Sequence, residues 1–546
     1  MDPEWVAEFV AKANDCINLN LVRPIISTHN ATPTDKPSMP NKKKRILPEP
    51  FHPEFTYPIF GEEEAIFGYR GLKINLDFYA NDLLPSLDIR YDEKWKQIGE
   101  TEAMDITEKL REFLPAYVTD PEENVTPALP DPTAKSWKPP GERIYSYSQD
   151  GSEYSIFQTT LADPVAREMF RRMQIFVTLY IEGGTQQDLD DQDWTMERWT
   201  LFLLYQVKHD RGNNQDVYTL AGFATSYRLW IFPTLEVMRA TKSLPSSPPG
   251  SKEEKDTYTP PLLRQDPVTH MYTDAFSPLE APSRERISQF IILPPFQGQS
   301  LGARLYNAMF HFFIGKPYIY EITVEDPNEA FDDMRDYCDL AYLRTLLAFQ
   351  NLSLPSTLPS ETLKKNAEIP RDLIIAPETT LTALRHESKI TPRQFDRMVE
   401  LYLLSTIPPL HRSPARITRK EKSANENDRK YYFWRLALKD RLYRHNADQL
   451  AQLDKDERVE KIEMAANSVE DNYDRLLEVM EKRAGWTDGG RYLLEGGDPQ
   501  NGDGEETAIP SRSKRKRVVS LADDDDDDDD EGADTDASKR PRVDRP

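Results

Sequence analysis

The apolar residues of this chain do not keep a single period, and the changes of period divide it. Near the start, Trp5, Val6, Phe9, Val10 and Ala13 share one face of a helical wheel, which predicts a helix over 4–18. A connection with Pro33, Pro37 and Pro40 follows, ending in the basic run 42–45. Within 60–90, Ile74, Leu76 and Phe78 alternate with polar residues, the period of a half-buried strand, so this stretch reads as strands joined by turns. A second connection, rich in proline, spans 126–140. Residues 167–172 read as a helix that leads into the unbroken apolar run 175–181, of the kind central strands carry. Further strands are expected at 199–207, 218–229, 287–293 and 318–324, and helices at 302–313 and 328–347. Beyond Pro370 the period is helical over 391–404, 428–444 and 447–482.

Together these elements describe a mixed α/β (α+β) protein, and composition sharpens that picture. Aromatic residues make up 10% of the chain, enough to build sizeable cores against the entropy of folding. At roughly 100–200 residues per domain, 546 residues allow two to four domains. The expected divisions are an N-terminal domain over 1–135, a central domain over 136–350, a helical module over 370–485 and a disordered tail over 490–546. The central domain is interrupted at 241–283, where eight prolines and few aliphatic residues mark a surface insertion. The tail holds basic clusters at 514–517 and 539–542 around eight consecutive aspartates, 523–530.

Charge excludes one class of function. The chain has 93 acidic and 69 basic side chains, a net −24, of which the stretch 498–546 carries −7 and the rest −17. An acidic body does not suit a protein whose role is to grip a nucleic acid backbone; it attracts basic partners over long range. The two cysteines, Cys16 and Cys338, rule out a disulfide scaffold and fit a reducing compartment. No run of ~18 apolar residues suggests a membrane span, and Met1-Asp2-Pro3-Glu4 is acidic where a signal peptide is basic. An intracellular soluble protein is expected. The eight histidines are scattered and show no metal-ligand spacing, so no metal site is expected.

The most informative segment runs from Phe290, Ile291 and Ile292 through Pro294 and Pro295 to a turn with Gly298 and Gly302. A strand entering such a turn and leaving as a helix points unpaired N–H groups at one spot, and the helix N-terminus adds about half a positive charge. Both suit a pyrophosphate, although a plain strand–helix connection has the same pattern. It is neither a P-loop nor a dinucleotide fingerprint.

The spacing Gln297-x-x-Ser300-x-Gly302-Ala303 resembles the acetyl-CoA signature of the GNAT acetyltransferases. Ser300 stands where that superfamily usually has its first glycine. A longer series, from Ser288-Gln289 and Phe296-Gln297-Gly298-Gln299 to Val324-Glu325-Asp326-Pro327, is similar to the catalytic subunits of type B histone acetyltransferases. So are Asn20-Leu21-Val22-Arg23, Glu62-Glu63-Glu64, Phe67-Gly68-Tyr69-Arg70-Gly71, Ile181-Glu182 and Glu197-Arg198-Trp199. The resemblance covers about 15–345 in order, without the 241–283 insertion and the tail.

It implies a GNAT acyltransferase fold, with a central mixed sheet flanked by helices, and acetyl-CoA as co-substrate. Phe290, Ile291 and Ile292 would lend backbone groups to the pantetheine arm, and Gln297, Gly298, Gln299, Ser300, Leu301, Gly302 and Ala303 would cradle the pyrophosphate. Asn328 matches another cofactor position. Transfer to lysine needs an uncharged amine, yet free lysine has a pKa of ~10.4, so a carboxylate must take a proton. Glu325 is expected to be that base, with Asp326 and Glu182 as further active-site carboxylates. Asp326-Pro327-Asn328 also reads as the cap of the next helix, and Glu182 as a solvated charge at a strand end. The implied substrate is the basic N-terminal tail of newly made histone H4, with its histone partner. Glu62, Glu63 and Glu64 would line its groove, and Trp199, Tyr227, Arg228 and Leu229 would add contacts. Their plainer alternatives are a solvated turn for the glutamates and core packing for Trp199. The resemblance also implies a WD-repeat histone-binding escort subunit, and the tail's basic clusters read as nuclear-localisation signals, giving a cytoplasmic and nuclear protein. A non-catalytic acidic histone chaperone and a GNAT enzyme for other amines are the competing readings.

Overall fold

The computed structural model describes residues 3–24, 43–97, 99, 101–120, 137–191, 193–210, 215–230, 267–269, 283–364 and 367–482. Most of the two expected connections, nearly all of the 241–283 insertion and the whole tail lie outside the described residues. The protein is mixed α+β and divides into two compact units. One runs to Asn351 and takes in Glu378–Met398; the other comprises Leu352–Pro377 and Val399–Lys482.

The first unit holds two principal sheets. A four-stranded sheet is built from β1 (Ile17–Pro24), β2 (Lys43–Arg45), β3 (Lys73–Tyr79) and β4 (Pro85–Arg90) in the order β2-β1-β3-β4. Strands β1 and β3 are parallel, with Ile17 opposite Ile74 and Leu21 opposite Phe78. Ile74, Leu76 and Phe78 are all buried, as their alternation predicts. The six-stranded sheet comprises β5 (Glu142–Gln149), β6 (Ser152–Thr160), β7 (Trp199–Asp210), β8 (Gln215–Trp230), β9 (Ser283–Ile292) and β10 (Ile319–Val324). It runs β10-β9-β8-β7-β6-β5, antiparallel throughout except for the parallel pair β9 and β10.

Two expectations from periodicity fail here. The run 175–181 is not a central strand: it is the C-terminal half of helix α1 (Pro164–Tyr180). Asp163 starts that helix by accepting from the amides of Val165 and Ala166, Pro164 suits its first turn, and no breaker occurs before Gly183. The run is apolar all round because the helix is covered on more than one side. Phe176 meets Phe78 of β3 at 4.7 Å between ring centroids, and Phe170 meets Phe223 of β8 at 6.2 Å. An unbroken apolar run does not distinguish a buried helix from a buried strand. The helix expected over 4–18 is likewise broken. Pro3–Ala7 and Ala13–Cys16 are short helices, and Val10–Lys12 between them pairs antiparallel with Ala65–Phe67. Phe9, packed against Trp5 and Trp95, accepts at its carbonyl from the Gly68 amide at 2.8 Å. These non-local bonds outweigh the local helical period.

The polypeptide around residues 56–64 is held by one carboxylate. Glu64 Oε1 accepts from the Thr56 amide at 2.8 Å, the Thr56 hydroxyl at 3.2 Å and Asn14 Nδ2 at 3.3 Å. The Thr56 amide, with help from the two side chains, holds the Glu64 carboxyl below the usual glutamate range.

Three helices complete the frame of the first unit: α2 (Leu301–Ile314), α3 (Glu329–Leu343) and α4 (Glu378–Ser388). The second unit is helical, built on α6 (Glu426–His445) and α7 (Lys455–Lys482), while α5 (Pro392–Ser405) contributes to the first unit through Met398 and to the second from Val399. The expected helix over 447–482 is interrupted before Lys455, where Asp454 caps α7 by accepting from the amides of Asp456 and Glu457. Inside this unit the buried Glu400 carboxylate accepts from both Arg441 Nε and Nη2, at 2.7 and 2.9 Å, and from the Tyr473 hydroxyl at 2.9 Å. An internal carboxylate is tolerable only when its oxygens are matched in this way.

These contacts make the stability of the first unit testable at two points. A Cβ at Gly222 of β8 would lie 2.6 Å from the Ile291 carbonyl oxygen and 2.7 Å from Ile292 Cδ1. Gly222→Ala is expected to cost about 1–3 kcal/mol by forcing β8 from β9; urea denaturation measures it. A carboxylate whose folded pKa is lowered contributes stability that is full above its unfolded pKa and is lost as pH falls through the folded one. Glu64→Gln is therefore expected to destabilise the protein at pH 7, with the deficit shrinking once pH drops below the ordinary glutamate range, in denaturation curves taken at stepped pH.

Candidate active site

Strands β9 and β10 pair from Ser283 opposite Ile319 to Ile287 opposite Val324, and the Glu325 amide adds one more bond, to the Ile287 carbonyl at 2.9 Å. There the ladder ends among the described residues. On its other side β9 continues with β8, but the register slips. Ser226 faces Ile287 and Ala224 faces Phe290, so Ser288 and Gln289 together oppose Thr225. The Gln289 amide donates to the Thr225 hydroxyl at 3.2 Å. An extra residue in one strand bends it, and the bend falls where β9 leaves β10.

Residues 290–292 thus pair on one edge only. Leu293 donates from its amide to the Ala221 carbonyl of β8 at 2.9 Å. Backbone groups alternate along a strand, so those of Ile291 face β8, and those of Phe290 and Ile292 face the opened edge. Gln297 Nε2 donates to the Ile292 carbonyl there, at 2.9 Å. The three residues predicted for a cofactor arm therefore divide: Phe290 and Ile292 offer backbone, and Ile291 is buried.

The opened edge runs into a turn. Pro294–Phe296 form a short 3₁₀ helix, and α2 starts after Ser300. Gly298 has φ +76° and Ser300 φ +57°, so Ser300 adopts the left-handed conformation that its side chain disfavours. Ser300 gives α2 no side-chain cap, and the first amides of a helix have no acceptor within it. The turn is anchored from the far sheet edge, where Gln149 Nε2 donates to the Gln299 carbonyl at 2.6 Å. Gln297, Gly298, Gln299 and Ser300 are exposed, while Leu301 and Ala303 are buried under the helix. At Gly302 a Cβ would stand 3.0 Å from Met334 Sδ of α3 and 3.7 Å from both Phe290 and Ile292, so the glycine lets α2 approach β9 and α3. The exposed turn 297–300 thus lies between the edge of β9 beyond Ile287 and the N-terminus of α2.

Glu325 lies where the two strands part. It is exposed, and the Ser288 hydroxyl donates to its Oε2. Asp326 is exposed with φ +34°, and Asn328 caps α3 by accepting from the Phe331 amide at 2.9 Å. Glu182 is not at a strand end: it follows α1, beside a helix C-terminus whose partial negative charge adds to its own. Its loop is tied down twice, by the Gly183 amide donating to the Tyr57 hydroxyl at 2.9 Å and by Gln289 Nε2 donating to the Thr185 carbonyl at 3.4 Å. The bulge residues 288 and 289 therefore hold both Glu325 and the loop of Glu182.

The remaining candidates behave unequally. Glu62 and Glu63 are exposed, whereas Glu64 uses one oxygen on Thr56 and Asn14. Trp199 and Tyr227 face each other across β7 and β8 with ring centroids 4.7 Å apart, and the Arg198 guanidinium lies 4.7 Å over Tyr227. Arg228 is buried and pairs with Glu285 at 3.3 Å; the Ser226 hydroxyl donates to Glu285 at 2.7 Å. Burial pushes the Glu285 carboxyl up, against the pull of Arg228. Leu229 is half-buried. Sequence reasoning missed Tyr57, Glu285, Ser288 and Gln289 as supports. Glu285 was visible in principle, since period two sets it on the inward face with Ile287. Among the described residues no three His, Cys, Asp or Glu side chains gather to hold a metal ion, and no helix is long and apolar enough to cross a membrane.

Comparison with known proteins gives this arrangement a lineage. The family profile described as histone acetyl transferase HAT1 N-terminus matches residues 9–182. A protein of Aspergillus oryzae named histone acetyltransferase type B catalytic subunit is 34% identical over 98% of this chain and 99% of its own length. Proteins of the same name from Aspergillus fumigatus (36% identical, 86% of this chain and 77% of the relative) and Candida albicans (32%, 78% and 84%) are similar as well. Identity at this level, sustained over nearly the whole of both proteins, means common descent, and the chain belongs to the family of histone acetyltransferase type B catalytic subunits.

Proposed function

We propose that this acetyltransferase moves the acetyl group of acetyl-CoA to lysine side chains in the N-terminal tail of newly made histone H4. The observation that carries the reading is the parting of β9 from β10 at Ile287 and Val324, with Glu325 at the point of divergence. Acetyl-CoA supplies an activated thioester. The backbone of Phe290 and Ile292 would hold its pantetheine arm as an added strand, and the amides around 298–303 its pyrophosphate.

Glu325 accepts the proton of the incoming lysine, directly or through one water, and the freed amine attacks the thioester carbonyl. The new amide forms as the carbon–sulfur bond breaks; CoA leaves as the thiolate and takes up the proton that the attacking nitrogen gives up, so the acetyl group never rests on the enzyme. Glu182 at the α1 C-terminus, exposed Glu62 and Glu63, and Asp326 give the region a negative field that favours a basic peptide. Trp199 and Tyr227 offer apolar and aromatic contact beside it. Arg228 is buried, paired with Glu285 and stacked over the Tyr318 ring, while its carbonyl accepts from the Arg198 guanidinium that lies over Tyr227, so its part is to hold Arg198 against the Tyr227 ring.

A non-catalytic chaperone would need acidity alone, and neither a parted strand pair nor an uncapped α2 would serve it. The words "catalytic subunit" in the relatives' names support a partner subunit, which we take to be a WD-repeat histone-binding escort. The basic clusters at 514–517 and 539–542 support work in nucleus as well as cytoplasm, before histones are deposited.

The reading is tested with an H4 tail peptide and radiolabelled acetyl-CoA, with the modified lysines mapped by mass spectrometry. Label is expected on tail lysines; none, with or without an escort subunit, would replace the enzyme by the chaperone. Glu325→Gln is expected to lower kcat by about 10²–10⁴ while acetyl-CoA still binds in calorimetry, and near-native turnover would remove Glu325 from the role of base.

A further inference from the structure

A glutamate on an exposed turn has three rotatable bonds and no reason to hold one geometry, and fixing such a side chain costs conformational entropy. Proton transfer needs the opposite, because a displacement of about 1 Å in a reacting group costs orders of magnitude in rate. Glu325 is exposed, yet both of its ends are tied. Its amide donates to the Ile287 carbonyl at 2.9 Å. Its carboxylate accepts, at Oε2, from the hydroxyl of Ser288, the next residue of β9.

We infer that Ser288 is a positioning residue for the Glu325 carboxylate, an inference that rests on the proposed role of Glu325 as base. The bulge is what makes this possible. Ile287 is the last β9 residue in the ladder with β10, and Ser288 is the first of the two that oppose Thr225. The hydroxyl of Ser288 therefore sits at the mouth of the opening and reaches the carboxylate that follows β10. Its single donor occupies Oε2 and leaves Oε1 for the incoming amine or its bridging water. A hydroxyl has the right size here, since a longer donor such as lysine would project into the opening and alanine would leave the carboxylate free to rotate. The bond joins two side chains and supports no backbone turn, which separates it from a structural cap. Gln289, its neighbour in the bulge, reaches the other way, to the Thr185 carbonyl, so the two residues secure carboxylate loops on opposite sides of β9.

The test uses the full-length chain with an H4 tail peptide and acetyl-CoA. Ser288→Ala is expected to lower kcat about tenfold, the worth of one hydrogen bond to a charged group. The KM for each substrate and the melting temperature should stay close to native. Ser288→Thr, which keeps the hydroxyl, should restore most of the rate. Ser288→Ala added to Glu325→Gln should lower the residual rate no further. Native kcat in Ser288→Ala, failure of threonine to restore the rate, or an undiminished tenfold loss in the Glu325→Gln background would each overturn the inference. If Glu325→Gln alone retains native turnover, the base assignment itself fails; if it does not while Ser288→Ala is native, only the positioning role is lost.

Discussion

A strand in the middle of a sheet must satisfy its backbone on both edges, and β9 does so only for half of its length. From Ser283 to Ile287 it lies between β8 and β10. At Ser288 and Gln289 it takes one residue more than β8 provides, bends, and goes on with β8 alone. Unpaired backbone groups are costly inside a protein, so the opened edge persists only because something else can use it or because solvent reaches it. The rest of the site is arranged around this event. Val324 ends its pairing at the same point, so the residue after it, Glu325, emerges at the fork. The 3₁₀ turn and Ser300 bring α2 in at the far end of the opened edge, and Gly302 sets how closely it approaches.

The bulge also ties down two carboxylate-bearing segments from distant parts of the chain. Glu182 follows α1 and Glu325 follows β10. The Glu325 carboxylate accepts from the Ser288 hydroxyl, and the loop of Glu182 is tethered by Gln289, which donates to the Thr185 carbonyl, and by Tyr57, whose hydroxyl accepts from the Gly183 amide. Glu64, by contrast, is drawn inward by Thr56 and Asn14. Among adjacent glutamates the one with a left-handed backbone, φ +48°, becomes structural and the other two stay exposed. Net charge counts all three alike; hydrogen bonding separates them.

Much of the six-stranded sheet, and β3 of the four-stranded one, was legible in the sequence, because β3, β7, β8, β9 and β10 have one-sided or fully apolar patterns bounded by turns. Helix α1 was not, since an apolar run of seven residues has the same composition in a helix covered on two sides as in a central strand. Val10 and Ala11 were misread because pairing with Phe67 and Ile66, respectively, depends on a partner more than fifty positions away. The turn between β9 and α2 was legible as a spacing, and the unusual Ser300 was visible as a departure from glycine. What was not legible was the work of Ser288 and Gln289. A bulge is a mismatch between two strands, and a single strand's pattern does not contain it; Ile287, Gln289 and Ile291 keep their alternation straight through.

The left-handed serine at position 300 costs about 1–2 kcal/mol relative to glycine. The turn tolerates it because it is anchored on two sides, by Gln149 on the Gln299 carbonyl and by Gln297 on the Ile292 carbonyl. Those bonds come from side chains outside the helix. A glycine at 300 would relax the strain but widen the range of conformations open to the turn. The serine, once held, presents the α2 amides in one orientation. Under the proposed function, pre-organisation of this kind would lower the entropy lost when a phosphate group docks, which places strain at Ser300 and clamping at Ser288 under the same logic: both ends of the opened edge are fixed by bonds within the protein.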